Sequence, residues 1–354
     1  MKKIVFTGGG SAGHVTPNLA LIARLKPLGW QIDYIGSQGG IERDIIGREA
    51  IPYHPIASGK LRRYFDLRNA KDPFNVLKGT LQAYRLLRRL RPHIVFSKGG
   101  FVSVPVIVAS RLCGIPVIAH ESDFTPGLAN KISMPFVSRL CVTFPETLEG
   151  AGDKAQCTGL PIREHIYRGK AIQGRSLCDF HSQKPVLLVM GGSLGAQKIN
   201  QAIRGALEPL LERFQIAHIC GKGMVDETKT GIRGYRQFEY VSEELPDLLA
   251  SADLVVSRAG STSIFEFLAL RKPMLLIPLS RQASRGDQIW NAASFEKQGF
   301  CHVLQEEELT PESLVREAER AYRSREAMAE RMAAAPYRDG TDAIIELIEQ
   351  FRLR

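Results

Sequence analysis

The chain has 354 residues, 44% hydrophobic and 24% charged, which is too long for one ordinary core and has the composition of a soluble globular protein. No apolar run reaches the roughly 18 residues that would span a membrane. The start, Met1-Lys2-Lys3 followed by Ile4-Val5-Phe6, reads as a first buried strand and not as a signal peptide. The net charge of +10 is unevenly placed: residues 1–160 hold 21 of the 47 Lys and Arg but only 11 of the 37 Asp and Glu, so the excess sits on the first half.

Strand-like runs alternate with helical ones. In the first half the strands are expected at Lys3–Thr7, Ile32–Ile35, Ile94–Ser97, Pro116–Ala119 and Leu140–Thr143. In the second they are expected at Pro185–Met190, Gln215–Ile219, Gln237–Tyr240, Leu254–Ser257, Met274–Ile277 and Cys301–Leu304. Most are continuous apolar runs, the pattern of parallel strands buried on both faces. Helical stretches at Pro17–Leu28, Phe74–Leu90, Ile199–Arg213 and Pro311–Ala334 fall between them. The fold class is therefore α/β, with doubly wound Rossmann-like sheets that present ligands at the carboxyl ends of their strands. The boundary is placed at Gly159–Arg163, giving domains of residues 1–160 and 161–340. A last helix within 341–354 is free to pack back on the first domain.

Charge concentrates between Lys60 and Lys98, where eleven Lys and Arg stand against Asp66 and Asp72. Such a stretch attracts a polyanion, either nucleic acid or an anionic membrane surface, or it is a solvated helix face. Within it Phe74, Leu77, Leu81, Tyr84 and Leu87 recur at helical spacing, with Lys78, Arg85, Arg88 and Arg89 around them. This reads as a crossover helix with its apolar face on its own sheet, or as a basic helix lying in a lipid interface. The six cysteines form no C-x-x-C pair and read as packing residues in a cytosolic protein.

Two glycine loops head the two halves, Gly8–His14 and Gly191–Ala196. Glycines let the backbone turn sharply there and leave its N–H groups open to an anion at a helix N-terminus. An NAD-dependent oxidoreductase is disfavoured, because the first loop lacks the G-x-G-x-x-G layout. The ribose-binding carboxylate expected about 20 residues on is also misplaced, with Asp33 inside the second strand and Gly36-Ser37-Gln38 after it. Polar loops at Ser97–Ser103 and His120–Gly127 follow core strands. In the second half Ser261, Thr262 and Ser263 open a helix, where hydroxyls and N–H groups can hold phosphates, and the alternative is a capping box of Ser263 with Glu266. Another polar loop runs over Arg285–Asn291. With no D-x-D, no H-x-x-x-H and no paired cysteines, no metal is expected, and Glu306-Glu307-Glu308 reads as a solvated run. No aromatic-interleaved basic motif points to nucleic acid.

Six of these segments, in order, resemble the MurG family of GT-B glycosyltransferases, the N-acetylglucosaminyltransferases of bacterial peptidoglycan synthesis. They are Gly9–Pro17, Gly99–Ser103, His120-Glu121 with Pro126–Lys131, Gly191–Ala196, Ser257–Glu266 and Asp287–Ala292, and the resemblance runs from Met1 to about residue 350. It implies two Rossmann-like domains facing across a cleft that closes over the donor. It also implies transfer of GlcNAc from UDP-GlcNAc to the C4 hydroxyl of the muramoyl sugar of lipid I, giving lipid II with inversion and without a cofactor. Carried over residue by residue, His14 is the first candidate for general base, with Glu121 and Asp123 as further catalytic candidates and Asn130 shaping the acceptor side. Ser11, Ala12 and Gly13 would lie near the donor sugar and the acceptor diphosphate. Donor contacts would be Arg163, Ser193, Val241, Ser261, Thr262, Ser263, Ile264, Phe265, Glu266 on the ribose, and Gln288. The basic region Lys60–Arg91 would face an anionic cytoplasmic membrane surface, making the enzyme peripheral there. An alternative acceptor is another lipid such as diacylglycerol.

The chain departs from the family pattern mainly in the first half. It has Ser11-Ala12 for Thr-Gly, Phe101 for Tyr, Ser122-Asp123 for Gln-Asn and Leu160 for Asn. Asp123 puts a carboxylate beside phosphate-bearing substrates, so either it acts as a base or sugar ligand, or the acceptor differs.

Overall fold

The computed structural model describes residues 2–59, 72–181, 183–192, 197–281, 286–336 and 339–352. The chain divides into two compact units, Met1–Arg163 with Asp339–Arg354, and Glu164–Arg338.

In the first unit the strands are β1 (Lys2–Thr7), β2 (Trp30–Ser37), β3 (Tyr53–Ile56), β4 (Ile94–Ser97), β5 (Val117–Glu121), β6 (Arg139–Val142) and β7 (Ala155–Cys157). They form a parallel sheet in the order β3-β2-β1-β4-β5-β6-β7. Its helices are α1 (Thr16–Leu25), α2 (Ile41–Gly47), α3 (Asp72–Leu90), α4 (Ser103–Leu112) and α5 (Leu128–Ser133). Alternate residues of each strand serve opposite faces. Ile4 and Phe6 of β1 join Leu21 and Leu25 of α1 in one core, while Val5 joins Val95, Leu87, Val106 and Ile107 in the other. The edge strands β3 and β7 are short and only partly buried, so their apolar signal is weak in the sequence.

The second unit holds β8 (Val186–Met190), β9 (Gln215–Ile219), β10 (Tyr235–Phe238), β11 (Leu254–Ser257), β12 (Met274–Leu276) and β13 (Cys301–Val303). They are again parallel, in the order β10-β9-β8-β11-β12-β13. Its helices are α6 (Ala171–Leu177), α7 (Gln197–Gly205), α8 (Leu207–Arg213), α9 (Leu245–Ser251), α10 (Ser261–Ala269), α11 (Asp287–Lys297), α12 (Pro311–Arg323) and α13 (Arg325–Ala334). Two helical stretches expected to be continuous are each broken, at Ala206 and at Ser324. Gly205 ends α7 against Pro311, where a Cβ would approach within 2.9 Å. β10 lies two residues earlier than its apolar run suggests, because Tyr235 pairs with Ile216 of β9.

The last helix, α14 (Thr341–Arg352), belongs to the first unit. Ile344 and Ile348 enter the α1 core. Trp30 Nε1 donates to Glu349 at 2.8 Å, and the Ile162 N–H donates to Thr341 Oγ1 at 3.1 Å.

Both sheets reverse strand order beside their first strand, between β1 and β4 and between β8 and β11. Loops leaving these strands diverge and open a crevice, the usual ligand position of a doubly wound sheet. In register, Thr7 pairs with Ser97 and Met190 with Ser257. The loops starting at Gly8 and Lys98 are therefore neighbours, as are those starting at Gly191 and Arg258. Among the described residues no helix is long and apolar enough to cross a membrane.

Candidate active site

The first glycine loop is tied down from several sides. Tyr34 on β2 donates its hydroxyl to the Gly8 carbonyl at 2.7 Å, and Asn18 of α1 donates to Tyr34 Oη at 3.1 Å. Burial keeps the Tyr34 phenol protonated, well above its ordinary range. The Gly9 N–H donates to the Gly99 carbonyl at 3.3 Å. The Gly10 N–H donates at 3.1 Å to the carboxylate of Glu42, a fully buried residue of α2. Glu42 also accepts from the Ser37 N–H at 3.0 Å and from its hydroxyl at 2.5 Å. A Cβ on Gly9 would lie 2.4 Å from that carboxylate, which is why position 9 needs glycine. The expectation that these N–H groups stay open to an external anion is thus corrected for Gly9 and Gly10. Their partners are internal, and Glu42 supplies the anion.

His14 closes a single 3-10 turn, Ala12–His14. Its Nδ1 lies 2.9 Å from the Gly9 carbonyl and 3.3 Å from Ser11 Oγ. A carbonyl only accepts, so Nδ1 carries the hydrogen and the neutral ring keeps its lone pair on Nε2. Asp33, buried on β2, accepts from His54 Nε2 at 2.7 Å. It is spent inside the unit and does not serve as a ribose ligand.

Beside this loop, Gly100 has φ +85° and lies so close to Gly9 that a Cβ would meet the Gly9 carbonyl oxygen at 2.3 Å. Next to it, Gly99 faces the amide of Asn130. Asn130 Nδ2 donates to Glu121 at 2.8 Å, and Glu121 also accepts the N–H groups of Gly127 at 2.8 Å and Asp123 at 3.1 Å. Burial pushes the Glu121 carboxyl above the usual carboxylate range, against the pull of those hydrogen bonds. With both oxygens engaged, Glu121 orders the loop that carries half-buried Asp123 and the start of α5. Ser11, Gly13, His14, Glu121, Asp123 and Asn130 are therefore gathered at the carboxyl end of one sheet.

In the second unit, Ser193 and the rest of 193–196 lie outside the described residues, as does Arg285. α10 begins at Ser261 with Gly260 as its cap residue, which has no side chain to cap with. The capping-box alternative is corrected: Ser263 is inside the helix and not its cap. Ile264 and Phe265 are fully buried, so they can offer a ligand only backbone atoms. Phe265 packs edge-on to Phe295 of α11 with ring centroids 5.2 Å apart. Glu266 is buried one turn in, and Val241 is buried just past β10. Gln288 on α11 accepts from the Leu279 N–H at 3.0 Å, and Asn291 donates to the Ala259 carbonyl at 3.1 Å. These contacts bring the β11–α10 and β12–α11 loops together. Arg163 falls with the first unit, since its neighbour Ile162 is bonded to Thr341.

The acidic run 306–308 also needs correction. Glu306 is buried and paired with buried Arg258, and it accepts from the Ser280 N–H at 3.4 Å. Burial raises the Glu306 carboxyl's pKa, but Arg258 and Lys198 outweigh that and hold it low. Glu307 and Glu308 are exposed. Arg258 also donates to the Ile277 carbonyl at 3.1 Å, tying the loop before α10 to the end of β12.

A second candidate surface lies on α3, and Lys60–Lys71 of the basic region fall outside the described residues. The helix is turned differently from the apolar spacing. Gly79, Ala83 and Leu87 face inward, and a Cβ on Gly79 would reach the Ala57 carbonyl at 2.0 Å. That close approach leaves Phe74, Leu77 and Leu81 75%, 69% and 51% exposed. Lys78, Arg85, Arg88 and Arg89 are exposed on the same side.

Comparison with known proteins adds to this geometry. Residues 4–142 match the glycosyltransferase family 28 N-terminal domain and residues 186–348 its C-terminal domain. The chain belongs to glycosyltransferase family 28. Within that family it is 60% identical over 350 residues, 98% of both chains, to a protein of Geobacillus thermodenitrificans. That protein is named UDP-N-acetylglucosamine–N-acetylmuramyl-(pentapeptide) pyrophosphoryl-undecaprenol N-acetylglucosamine transferase. A protein of the same name from Clostridium kluyveri is 56% identical over 99% of this chain and 100% of its own. The fold matches the crystal structure of Acinetobacter baumannii MurG with a TM-score of 0.77, at 24% identity, over 99% of this chain and 100% of that one. The family 28 assignment makes the chain a glycosyltransferase with GT-B architecture.

Sequence reasoning reached the three loops of the first unit but missed Glu42, Tyr34 and the Arg258–Glu306 pair. Glu42, Tyr34 and Glu306 belong to no motif, and Arg258, inside the Ser257–Glu266 segment, has its partner 48 residues away. Only a buried carboxylate in the first turn of a short helix, after Gly39-Gly40, could have hinted at Glu42.

Proposed function

We propose that this glycosyltransferase moves GlcNAc from UDP-GlcNAc to the C4 hydroxyl of the muramoyl sugar of lipid I, forming lipid II. The full-length identity to relatives carrying that activity in their names carries the assignment. The geometry of the first unit supplies the chemistry. His14, oriented by the Gly9 carbonyl on Nδ1, takes the acceptor hydroxyl proton on Nε2 as the oxygen attacks the anomeric carbon. The C–O bond to UDP breaks in the same displacement, so the configuration inverts. Ser11 and Gly13 sit in the turn that positions His14, and the Glu121–Asn130 pair shapes the acceptor side with Asp123.

The second unit takes the donor. The N-terminus of α10, with Ser261, Thr262 and Ser263 at its start, faces the UDP diphosphate, since partial positive charge gathers on its unbonded N–H groups. Glu266 takes the ribose hydroxyls and Gln288 lies toward the sugar. The backbone of Ile264 and Phe265, with Ser193 and Val241, completes the donor contacts of this unit. The exposed apolar and basic stripe of α3 lies in the interface of an anionic membrane that holds the lipid acceptor. Each basic residue near such a surface contributes about 1 kcal/mol.

The test is radiolabelled transfer from UDP-GlcNAc to lipid I in detergent, with diacylglycerol as a second acceptor, alongside thermal shifts with UDP-GlcNAc and NAD. Product on lipid I and stabilisation by UDP-GlcNAc are expected. Product on diacylglycerol alone, or stabilisation by NAD alone, would overturn the reading.

A further inference from the structure

A single peptide group links His14 to a buried carboxylate. His14 Nδ1 donates to the Gly9 carbonyl at 2.9 Å. The Gly10 N–H, the other end of the same peptide, donates to Glu42 Oε2 at 3.1 Å. A trans peptide is planar, with its C=O and N–H pointing in opposite directions, so fixing the N–H aims the C=O. Glu42 is fully buried, and among the described residues no Lys or Arg pairs with it. Its charge is met by the Gly10 N–H on one oxygen and by the Ser37 N–H and hydroxyl on the other. Gly9 and Gly40 leave the space it occupies, since a Cβ on either would collide with the carboxylate. Tyr53 donates to the Ser37 carbonyl at 2.6 Å and holds Ser37 in turn. The other ionisable groups packed on the loop are Tyr34, bonded to the Gly8 carbonyl, and Lys98, bonded to Ser122.

One Glu42 oxygen satisfies Ser37. The second is spent on one group, the N–H that shares its peptide with the carbonyl on His14. A negative charge on that N–H polarises the amide and makes its carbonyl a stronger acceptor, because hydrogen bonds in series reinforce one another. A stronger acceptor on the Nδ1 hydrogen stabilises the imidazolium that forms when Nε2 takes a proton. A carboxylate bonded directly to a histidine does the same. Resting on the role of His14 as base, we propose that Glu42 is a positioning residue for the transfer. Through the Gly9–Gly10 peptide it fixes His14 as the Nδ1–H tautomer and strengthens Nε2 as a base. The acceptor proton goes to Nε2, the Nδ1 hydrogen stays in place, and Glu42 takes no proton.

The pH dependence of kcat for transfer to lipid I, in wild type and Glu42→Gln at saturating UDP-GlcNAc, tests the relay. Glutamine keeps the shape, removes the charge and brings one acceptor oxygen for two sides. Its kcat plateau is expected to fall about 10-fold. The acid limb, which reports the base in the bound complex, is expected to move to lower pH by about 0.5 to 1. KM for UDP-GlcNAc is expected to stay within about twofold. A role confined to packing the loop would lower the plateau and leave the limb in place. A limb that does not move, or a wild-type plateau, overturns the relay. Failure of the base reading shows separately, as full activity in His14→Ala, and failure of the acceptor reading as no transfer to lipid I by the wild type. Should Glu42→Gln not fold, Ser37→Ala decides. It takes the hydroxyl donor off Glu42 and leaves more of the charge to the Gly10 N–H, so its limb is expected to move to higher pH. A limb that stays or falls in Ser37→Ala overturns the relay.

Discussion

At the carboxyl end of β1, the Gly10 N–H is bonded to Glu42, a carboxylate of the same unit. At the end of β11, α10 starts from Gly260 with no side chain on its cap residue. Both loops leave the point where a parallel sheet reverses its strand order. One already holds an internal anion and aims a histidine, while the other presents a helix terminus suited to an external anion. Their resemblance as strand-to-helix turns is a consequence of the fold. What distinguishes them is where the neighbouring acids lie. In the first unit Glu42 fills the loop, and in the second Glu306 is drawn off to Arg258.

The largest expected effect is on the histidine. His14→Ala should reduce kcat by about 10²- to 10⁴-fold, the usual contribution of a general base, with UDP-GlcNAc still raising the melting temperature. Full activity in that variant would remove the chemical distinction between the loops. Breaking the acids apart comes next. Arg258→Ala leaves Glu306 buried without its main partner and should cost about 3–5 kcal/mol of stability by denaturant titration. Glu42→Ala strands the Gly10 and Ser37 N–H groups at about 1–3 kcal/mol each. If the loops differ as described, surviving Arg258→Ala protein loses donor affinity first and Glu42→Ala loses acceptor turnover first. The opposite pattern would reverse the assignment of the two units.

Charge reversal on α3 is smaller. Arg85, Arg88 and Arg89 changed together to Glu should weaken binding to anionic vesicles by about 1 kcal/mol per residue or more at low salt. Neutral vesicles should show little change, and unchanged binding to anionic vesicles would remove α3 from the membrane contact. The smallest effect is a pH slope. Burial brings the Lys98 pKa down to about 8 from 10.5, despite the attraction of Glu121 and Asp123. Between these values the unfolded chain binds the extra proton, so wild-type stability gains as pH rises through this window. Lys98→Met lacks that gain. Its stability advantage at pH 7, on the order of 1–3 kcal/mol, should shrink toward pH 10.5 in urea titrations. A constant difference across that window would show that Lys98 titrates in the folded protein as it does in the unfolded chain.

Continuous apolar strands, alternating helices and glycine loops at strand ends are local patterns, so the sequence by itself determined the α/β class and most strands. The same patterns located the loops that carry His14, Glu121, Asn130 and Ser261. The charge asymmetry was equally legible, because it needs only counting. Tertiary structure alone decided which groups these loops meet. Glu42 reaches Gly10 from another helix, and Arg258 reaches Glu306 across 48 residues of sequence. The apolar stripe of α3 reads as a buried face, yet Gly79 and Ala83 set the packing, because close backbone approach needs small residues more than large apolar ones. Periodicity records which residues share a side of an element. Which side is buried, and which charges are spent there, depends on partners distant in the chain.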